Sequence, residues 1–406
     1  MLLDKIKDLS AQILPETIKV RRYLHQNPEL SFKEYDTCAF IKSQLDEIGI
    51  RWKPIANTGV LAVIEGRSPA INTVALRADI DALPINELNT VDYASKNPGV
   101  MHACGHDFHT SSLLGTAKIL NLCRDDFKGT VKLLFQPGEE VLPGGATFMI
   151  KEGALQNPAP TAVIGQHAMP RIPTGKIGIR TGKHMASMDA IYVRIFGKGG
   201  HGAEPHNVID PVLIASHIIV ALQQIVSRMA SPREPCVLSF GKVVANGAVN
   251  VIPDEVYMEG TFRAMNETWR EKALSLITTM AEKVASSMGA TCELRVARGY
   301  PFLINEERLT ASIRQDAIEY LGEENVLEEE IWMAAEDFAY YSQVTDSCFY
   351  LCGVGNAEKG ISSALHTPTF NIDENALGIS TGLMAYFALK RLADRKDIAL
   401  PYTNEP

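Results

Sequence analysis

The sequence contains no run of ~18 or more consecutive apolar residues, the length that a helical membrane span requires. Nor has it a basic excess. Its 39 lysines and arginines stand against 48 acidic residues, a formal net charge of −9, which argues against a nucleic-acid binder with a basic face. Cysteine is scarce. There are seven in 406 residues, odd in number and scattered, so no disulfide framework is implied. Cys38, Cys123, Cys236, Cys292, Cys348 and Cys352 read as small core or half-buried residues. Internal repeats and low-complexity tracts are missing. The opening MLLDKIKDLSAQILPETIKV is a charged amphipathic helix without the apolar centre and small-residue cleavage site of a signal peptide. These absences lead to the expectation of a cytoplasmic globular protein with no membrane and no nucleic-acid partner.

What is present points to two domains. Apolar residues make up 46% of the chain, enough for a large core, and at ~150 residues per domain the length fits two or three. Helical patterns over 2–27, 35–48 and HTSSLLGTAKILNLC alternate with the strand-like runs GVLAVIEG, NTVALRAD, TVKLLFQ and TAVIGQH. Strands that are apolar throughout, set between helices, indicate a buried, largely parallel sheet. After Gly182 the pattern changes to strand MDAIYVRIFGKG and helix DPVLIASHIIVALQQIVSRM, in which Asp210 suits the N-cap and Pro211 the first helical position. Two strands, a helix and a last strand, ATCELRVARG, complete a β-α-β-β-α-β order, the ferredoxin-like unit. The fold class is therefore α/β. A discontinuous domain with a mixed, largely parallel sheet flanked by helices (1–183 and 298–406) is interrupted by a ferredoxin-like insert (184–297). The tail after Lys396 is expected to pack poorly.

The stretch MHACGHDFHT places one cysteine and three histidines within ten residues. Cys104 and His106 are separated only by Gly105. In a near-extended segment, residues two apart face the same way, so both side chains could meet one cation or two adjacent ones. Other donors follow apolar runs: Asp79-Ile80-Asp81 after NTVALR, Glu139-Glu140 after TVKLLFQPG, His167 after TAVIGQ, and His366 in the loop after SCFYLCGVG. In open α/β sheets, ligands bind at the carboxyl ends of strands. A thiolate, imidazoles and carboxylates converging there indicate a metal centre, with zinc favoured by the thiolate and manganese, cobalt or nickel admitted by the carboxylates. Two adjacent glutamates on a strand end point apart, so one can hold a cation while the other stands beside water as a general base.

Taken together, RADIDALPI, MHACGHDFH, QPGEE, GKGGHGAEPH, NVIPDE and ALHTPTF resemble the co-catalytic metallo-aminoacylase and carboxypeptidase superfamily. The resemblance is closest to its branch of hippurate hydrolases, N-acyl-amino-acid amidohydrolases and auxin–amino-acid conjugate hydrolases. It spans nearly the whole chain. It implies two divalent metal ions per subunit, zinc or manganese first and cobalt or nickel as alternatives. By motif position, Cys104 would bridge or nearly bridge them, with His106, Glu140, His167 and His366 completing their shells. Glu139 would be the general base and Asp81 an acid that orients a ligand or the base. His201 would stabilise the oxyanion, reaching over from a partner subunit's insert, while Asn250 and Arg263 would hold the substrate's polar end. The wider superfamily has His-x-Asp and a bridging Asp where this chain has Asp79-Ile80-Asp81 and Cys104. The implied reaction is hydrolysis of the amide bond of N-acyl amino acids, acetyl, benzoyl or similar, by a homodimer or higher homo-oligomer joined through the insert.

Rival readings follow from the same residues. Cys104 could be a nucleophile, but His106 is too close in sequence to serve easily as its base. His102 and His109 read as structural or neighbouring positions, and His25 as a local hydrogen-bonding residue. A small-peptide carboxypeptidase or dipeptidase, an N-acetyl-diaminopimelate-type deacetylase, and a binding protein that keeps a structural metal site are the alternatives. Structural zinc sites are compact and built from Cys and His close in sequence, whereas these donors are dispersed and include carboxylates.

Overall fold

Strands that are apolar on both faces must be covered on both faces, and the larger sheet meets that demand. The structure is a computed structural model and describes residues 2–393; the tail after Lys396 lies outside them. In chain order come α1 (Leu2–Gln26), α2 (Tyr35–Glu47), β1 (Arg51–Ile55), β2 (Gly59–Glu65), β3 (Thr73–Asp79), α3 (His106–Leu122), β4 (Thr130–Gln136), β5 (Ala162–Pro173) and β6 (Ile177–Ile179). With the strands Ser347–Gly355 and Val326–Glu328 they build an eight-stranded sheet in the order β1-β2-β4-β3-β5, Ser347–Gly355, β6, Val326–Glu328. The centre, from β4 through β3 and β5 to Ser347–Gly355, is parallel, and β1 and β2 add antiparallel strands at one side. Every residue of β3, β4 and Ser347–Gly355 is buried. Helices α1, α3 and Ala376–Ala393 pack on one another, and α3 also lies on β3.

The register sets out the carboxyl ends. β3 stops at Asp79 and β4 at Gln136, directly opposite each other. β5 leaves β3 at Gly165 and continues beside Ser347–Gly355, so His167 lies just beyond the last β3 pairing.

The second compact unit comprises Lys183–Leu303 together with Ile331–Ala339. Its sheet is antiparallel throughout, in the order Cys236–Val244, Glu255–Ala264, Asp189–Phe196, Thr291–Arg298. Helices Pro211–Gln224 and Glu267–Ser287 cover the face that carries Ile191, Val193, Ile195, Val256 and Met258. This is the ferredoxin-like arrangement. Asp210 caps the first helix by accepting from the N–H groups of Val212 and Leu213. The unit is larger than the 184–297 span expected from the sequence, because Ala186 N–H donates to the carbonyls of Trp332 and Ala334, and Trp332 N–H to His184 O. Backbone pairing between segments so far apart leaves no sequence pattern. One helical run among the described residues, Pro211–Met229, is long and apolar enough by composition to cross a membrane (mean hydropathy 1.5), although polar residues interrupt it. One side of it, Ile214, Ala215, Ile218, Leu222 and Ile225, is buried in the core of its own unit.

The insert's strand ends are tied by one buried ion pair. Arg270 Nε and Nη2 donate to the two oxygens of Asp189 at 2.7 Å each, and Nη2 also reaches Gly299 O at 3.0 Å. Asp189 is fully buried. Removing the cation strands a buried charge, so Arg270→Met is expected to lower unfolding stability by about 3–5 kcal/mol, measured by denaturant titration. A loss within the range of about 0–1 kcal/mol typical of surface pairs would show that the pair does not hold these ends.

Candidate metal centre

The MHACGHDFHT segment is not extended, contrary to the expectation from its C-x-H spacing. Gly105 adopts φ +91° and ψ 16°, a left-handed turn, and α3 begins at His106. Cys104 is thus delivered by the approach to the helix and His106 by its first turn. Only glycine adopts this φ readily, and a Cβ at 105 would stand 2.7 Å from that of Ala168.

Glu139 and Glu140 also sit in a turn, not on a strand end. Gly138 has φ +61°, and Gly145 N–H closes the turn onto Gly138 O at 3.1 Å. A Cβ on Gly145 would fall 1.7 Å from Pro137 O, so only glycine admits this approach. The glutamates therefore do not point apart: an oxygen of each lies within 4.8 Å of the other and of a His106 ring nitrogen.

The expected donors converge as two groups that share one atom. Cys104, His106 and His167 place their donor atoms within 4.8 Å of one another, and so do Cys104, Glu140 and His366. Cys104 Sγ is 3.4 Å from His167 Nε2 and 3.2 Å from His366 Nε2. Glu140 Oε1 lies 3.3 Å from His366 Nε2 and 4.0 Å from His106 Nε2. His366 itself has φ +60°, left-handed, and its N–H donates to Ala103 O at 2.8 Å, lacing its loop to the MHACG segment. A non-glycine residue in that region is a strain held by its surroundings.

A shell of buried polar groups orients these donors. Asp81 Oδ1 accepts from His106 Nδ1 at 3.1 Å, which turns Nε2 toward the other donors, and Asp81 Oδ2 accepts from Glu140 N–H at 3.0 Å and Ser31 Oγ at 2.6 Å. Asp79 accepts from Arg77 Nη1 at 2.6 Å and His109 Nδ1 at 2.6 Å, and His109 Nε2 accepts from Ala168 N–H at 2.7 Å. Both nitrogens of His109 are thereby committed, so it holds β5 beside His167 instead of offering a lone pair. Gln136 Oε1 receives Arg77 Nε and the Tyr341 hydroxyl. His25 is not a local residue: it is buried between Asp107 of α3 at 2.8 Å and Glu87 at 3.1 Å, beside Arg21, which also grips Asp107. His109 takes the supporting place expected of it, whereas Arg77 was not singled out in the sequence. The signal for Arg77 was a charge inside an otherwise apolar run, VALRA, which burial tolerates only when paired.

The electrostatics favour a cation. Burial raises the Cys104 thiol far above its ordinary value, reinforced by Glu140, Glu139 and Asp79. Burial works against the His106 imidazolium, but Asp79, Asp81 and Glu140 overcome it and raise that group to about 10. Burial and the imidazoles of His109 and His106 hold His167 well below its ordinary value, hence neutral. Among the described residues, His106 Nε2 and Glu140 Oε1 are buried without a hydrogen-bond partner. An imidazole nitrogen and a carboxylate oxygen left unpartnered beside a thiol fit divalent cations such as zinc or manganese.

Residues 75–390 match the model for peptidase family M20/M25/M40. The chain belongs to that family. A Bacillus subtilis protein named N-acetyl-L-cysteine deacetylase is 43% identical over 385 residues, 94% of this chain and 89% of its own length. A Geobacillus stearothermophilus N-acyl-L-amino acid amidohydrolase is 45% identical over 303 residues, 74% of this chain and 81% of its own. A solved structure of a Bacillus subtilis dinuclear metal-binding peptidase of family M20 matches with a TM-score of 0.81 at 35% identity, covering 94% of this chain and 99% of that one. Membership makes the chain a metal-dependent hydrolase.

The remaining expected residues belong to the inserted unit. His201 is exposed on a two-residue strand paired with Val251, next to Asn250, whose carbonyl accepts from Gly202 N–H. His201 Nδ1 accepts from Ala203 N–H at 3.1 Å, which puts the ring proton on Nε2. Arg263 is half-buried opposite Val237, and its Nη1 is buried without a hydrogen-bond partner among the described residues.

Without a cation, Cys104 and His106 are both protonated at neutral pH, so uptake of a divalent ion by these donors must displace protons, about two in all. The sign follows from the raised values: apparent affinity should strengthen as pH rises toward 10 and weaken as it falls. Calorimetric titration in buffers of different ionisation enthalpy reads the proton count. Uptake without proton release would contradict this donor set.

Proposed function

We propose that the chain is an amidohydrolase that cleaves the amide bond of N-acyl amino acids. The observation that carries this reading is a buried carboxylate, Glu139, that belongs to neither of the two donor groups joined at Cys104 yet lies within 4.8 Å of His106 and Glu140. Cys104, His106 and His167 would hold one cation, and Cys104, Glu140 and His366 the other. When bound, such ions polarise a carbonyl and acidify water. Zinc or manganese suits the donors first, with cobalt and nickel as alternatives. Glu139 takes the proton from the attacking water and passes it to the leaving amine. Asp81 keeps His106 and the Glu140 backbone in place. The Nε2–H of His201 is the donor for the oxyanion, a role typically worth ~100–1000-fold in turnover. Asn250 and the guanidinium of Arg263 take the substrate's polar end, the carboxylate meeting Arg263 through a charge-assisted bond. All seven cysteines are unpaired, which suits a reducing, cytoplasmic setting.

Glu139→Ala should reduce turnover of N-acetyl and N-benzoyl amino acids by ~100-fold or more with metal content unchanged. Loss of metal in that variant would mean that the roles of Glu139 and Glu140 are exchanged. The same panel, extended with dipeptides and N-acetyl-diaminopimelate, separates this reading from the peptidase and deacetylase alternatives.

Association belongs to the inserted unit in this reading. Strand Cys236–Val244 lies at a sheet edge with Val237 and Val243 exposed, and helix Pro211–Gln224 exposes Val212, Leu213 and Val220. An open apolar edge is a template for a second copy. Sedimentation should give a dimer or larger. A fully active monomer would remove both the pairing and a role for His201 across subunits.

A further inference from the structure

Residues 29–34 supply no donor to either cation group, yet they underlie the turn that carries Glu139. Ala82 N–H donates to Glu29 O at 2.8 Å, and Ser31 reaches Asp81. Phe32, itself left-handed at φ +62°, lays its ring against Gly138, where a Cβ would come within 2.4 Å of it. Glu34 is fully buried. Its Oε1 accepts from Phe32 N–H and Gly138 N–H, both at 2.8 Å, and its Oε2 from the Thr58 hydroxyl at 2.6 Å. Asp81 already takes the N–H of Glu140. The backbone is therefore pinned on each side of Glu139 by a different buried carboxylate.

We propose that Glu34 is a positioning residue that fixes the reach of Glu139 by accepting the Gly138 N–H. The inference rests on the reading of Glu139 as general base. Glu34 acts as an acceptor, not as a charge. One oxygen takes both backbone bonds, so glutamine preserves them while its amide faces Thr58, whose hydroxyl can turn to accept. Aspartate keeps the charge but is one methylene shorter and falls short of Gly138. Burial, with Asp81 nearby, raises the Glu34 carboxyl to about 7, so the neutral form that glutamine imitates is already populated near neutral pH.

Glu34→Gln, Glu34→Asp and Glu34→Ala are compared in the full-length, metal-loaded enzyme. The readouts are kcat, KM, metal content and amide hydrogen exchange of residues 137–141, the last also in metal-free protein. Glu34→Gln should keep both kcat and the exchange protection of the turn. Glu34→Asp and Glu34→Ala should lose kcat on the order of 100-fold, as a misplaced catalytic group does, with KM little changed, the cations still bound and the turn exchanging faster. A purely structural role would lower stability without this split between kcat and KM. Equal activity in Glu34→Asp and Glu34→Gln overturns the proposal, as does a fall in kcat for Glu34→Gln with the turn still protected. If the aspartate and alanine variants do not fold, the glutamine variant alone decides between acceptor and charge. Glu139→Gln run in parallel keeps the two readings apart: turnover retained there removes Glu139 as base, while the exchange of 137–141 still reports on the grip of Glu34.

Discussion

A carboxylate buried out of reach of water is tolerated only where donors surround it, and Asp81 is the group on which that constraint bears most heavily. Three segments distant along the chain meet it, through Ser31, His106 and the backbone of Glu140. Each of those bonds also fixes something beyond itself. The bond to Nδ1 decides which face of the His106 imidazole is turned outward. The bond to the Glu140 amide seats the turn after β4. The hydroxyl of Ser31 draws the 29–34 segment under that turn. Burial would raise the Asp81 carboxyl, yet His106, Ser31 and the Glu140 amide lower it, so it stays ionised and keeps all three bonds.

The same constraint, taken over the whole cluster, explains why the fold asks for metal. Asp79, Asp81, Glu139 and Glu140 crowd the carboxyl ends of β3 and β4, and Arg77 and the His106 imidazolium are the cationic groups set among them. Uncompensated buried charge is far costlier than a paired one. Added divalent ions are the largest local charges such a site can acquire, and they invert its protonation logic. The M20/M25/M40 membership and the donor chemistry thus arrive at the same requirement independently.

Much of this was legible in the sequence, and what was hidden has a physical pattern. The buried strands read directly, because apolar runs between helices have few other fates. The insert read as well, through its alternating strands and the Asp210-Pro211 helix start. The donors could be gathered from a rule about strand ends, without their geometry. What the sequence concealed were turns and distant pairings. Left-handed Gly105 replaces an extended segment, and the Gly138–Gly145 closure brings two glutamates to one side. Neither leaves a hydrophobic period. His109 acts through hydrogen bonds to Asp79 and Ala168 on two strands, and Arg77 through one to Gln136 on the neighbouring strand besides Asp79 on its own. Segment 331–339 joins the insert by backbone pairing that no composition records.

Cys104 stands at the junction of both donor groups, and its chemistry has a bearing on how the chain survives without metal. Oxidants and electrophiles attack the thiolate, not the thiol. Burial first, and then its acidic neighbours, favour the protonated sulfur, the form that oxidants attack least. The anions that make the site hungry for metal thereby also safeguard the one atom whose oxidation would ruin both halves of it at once.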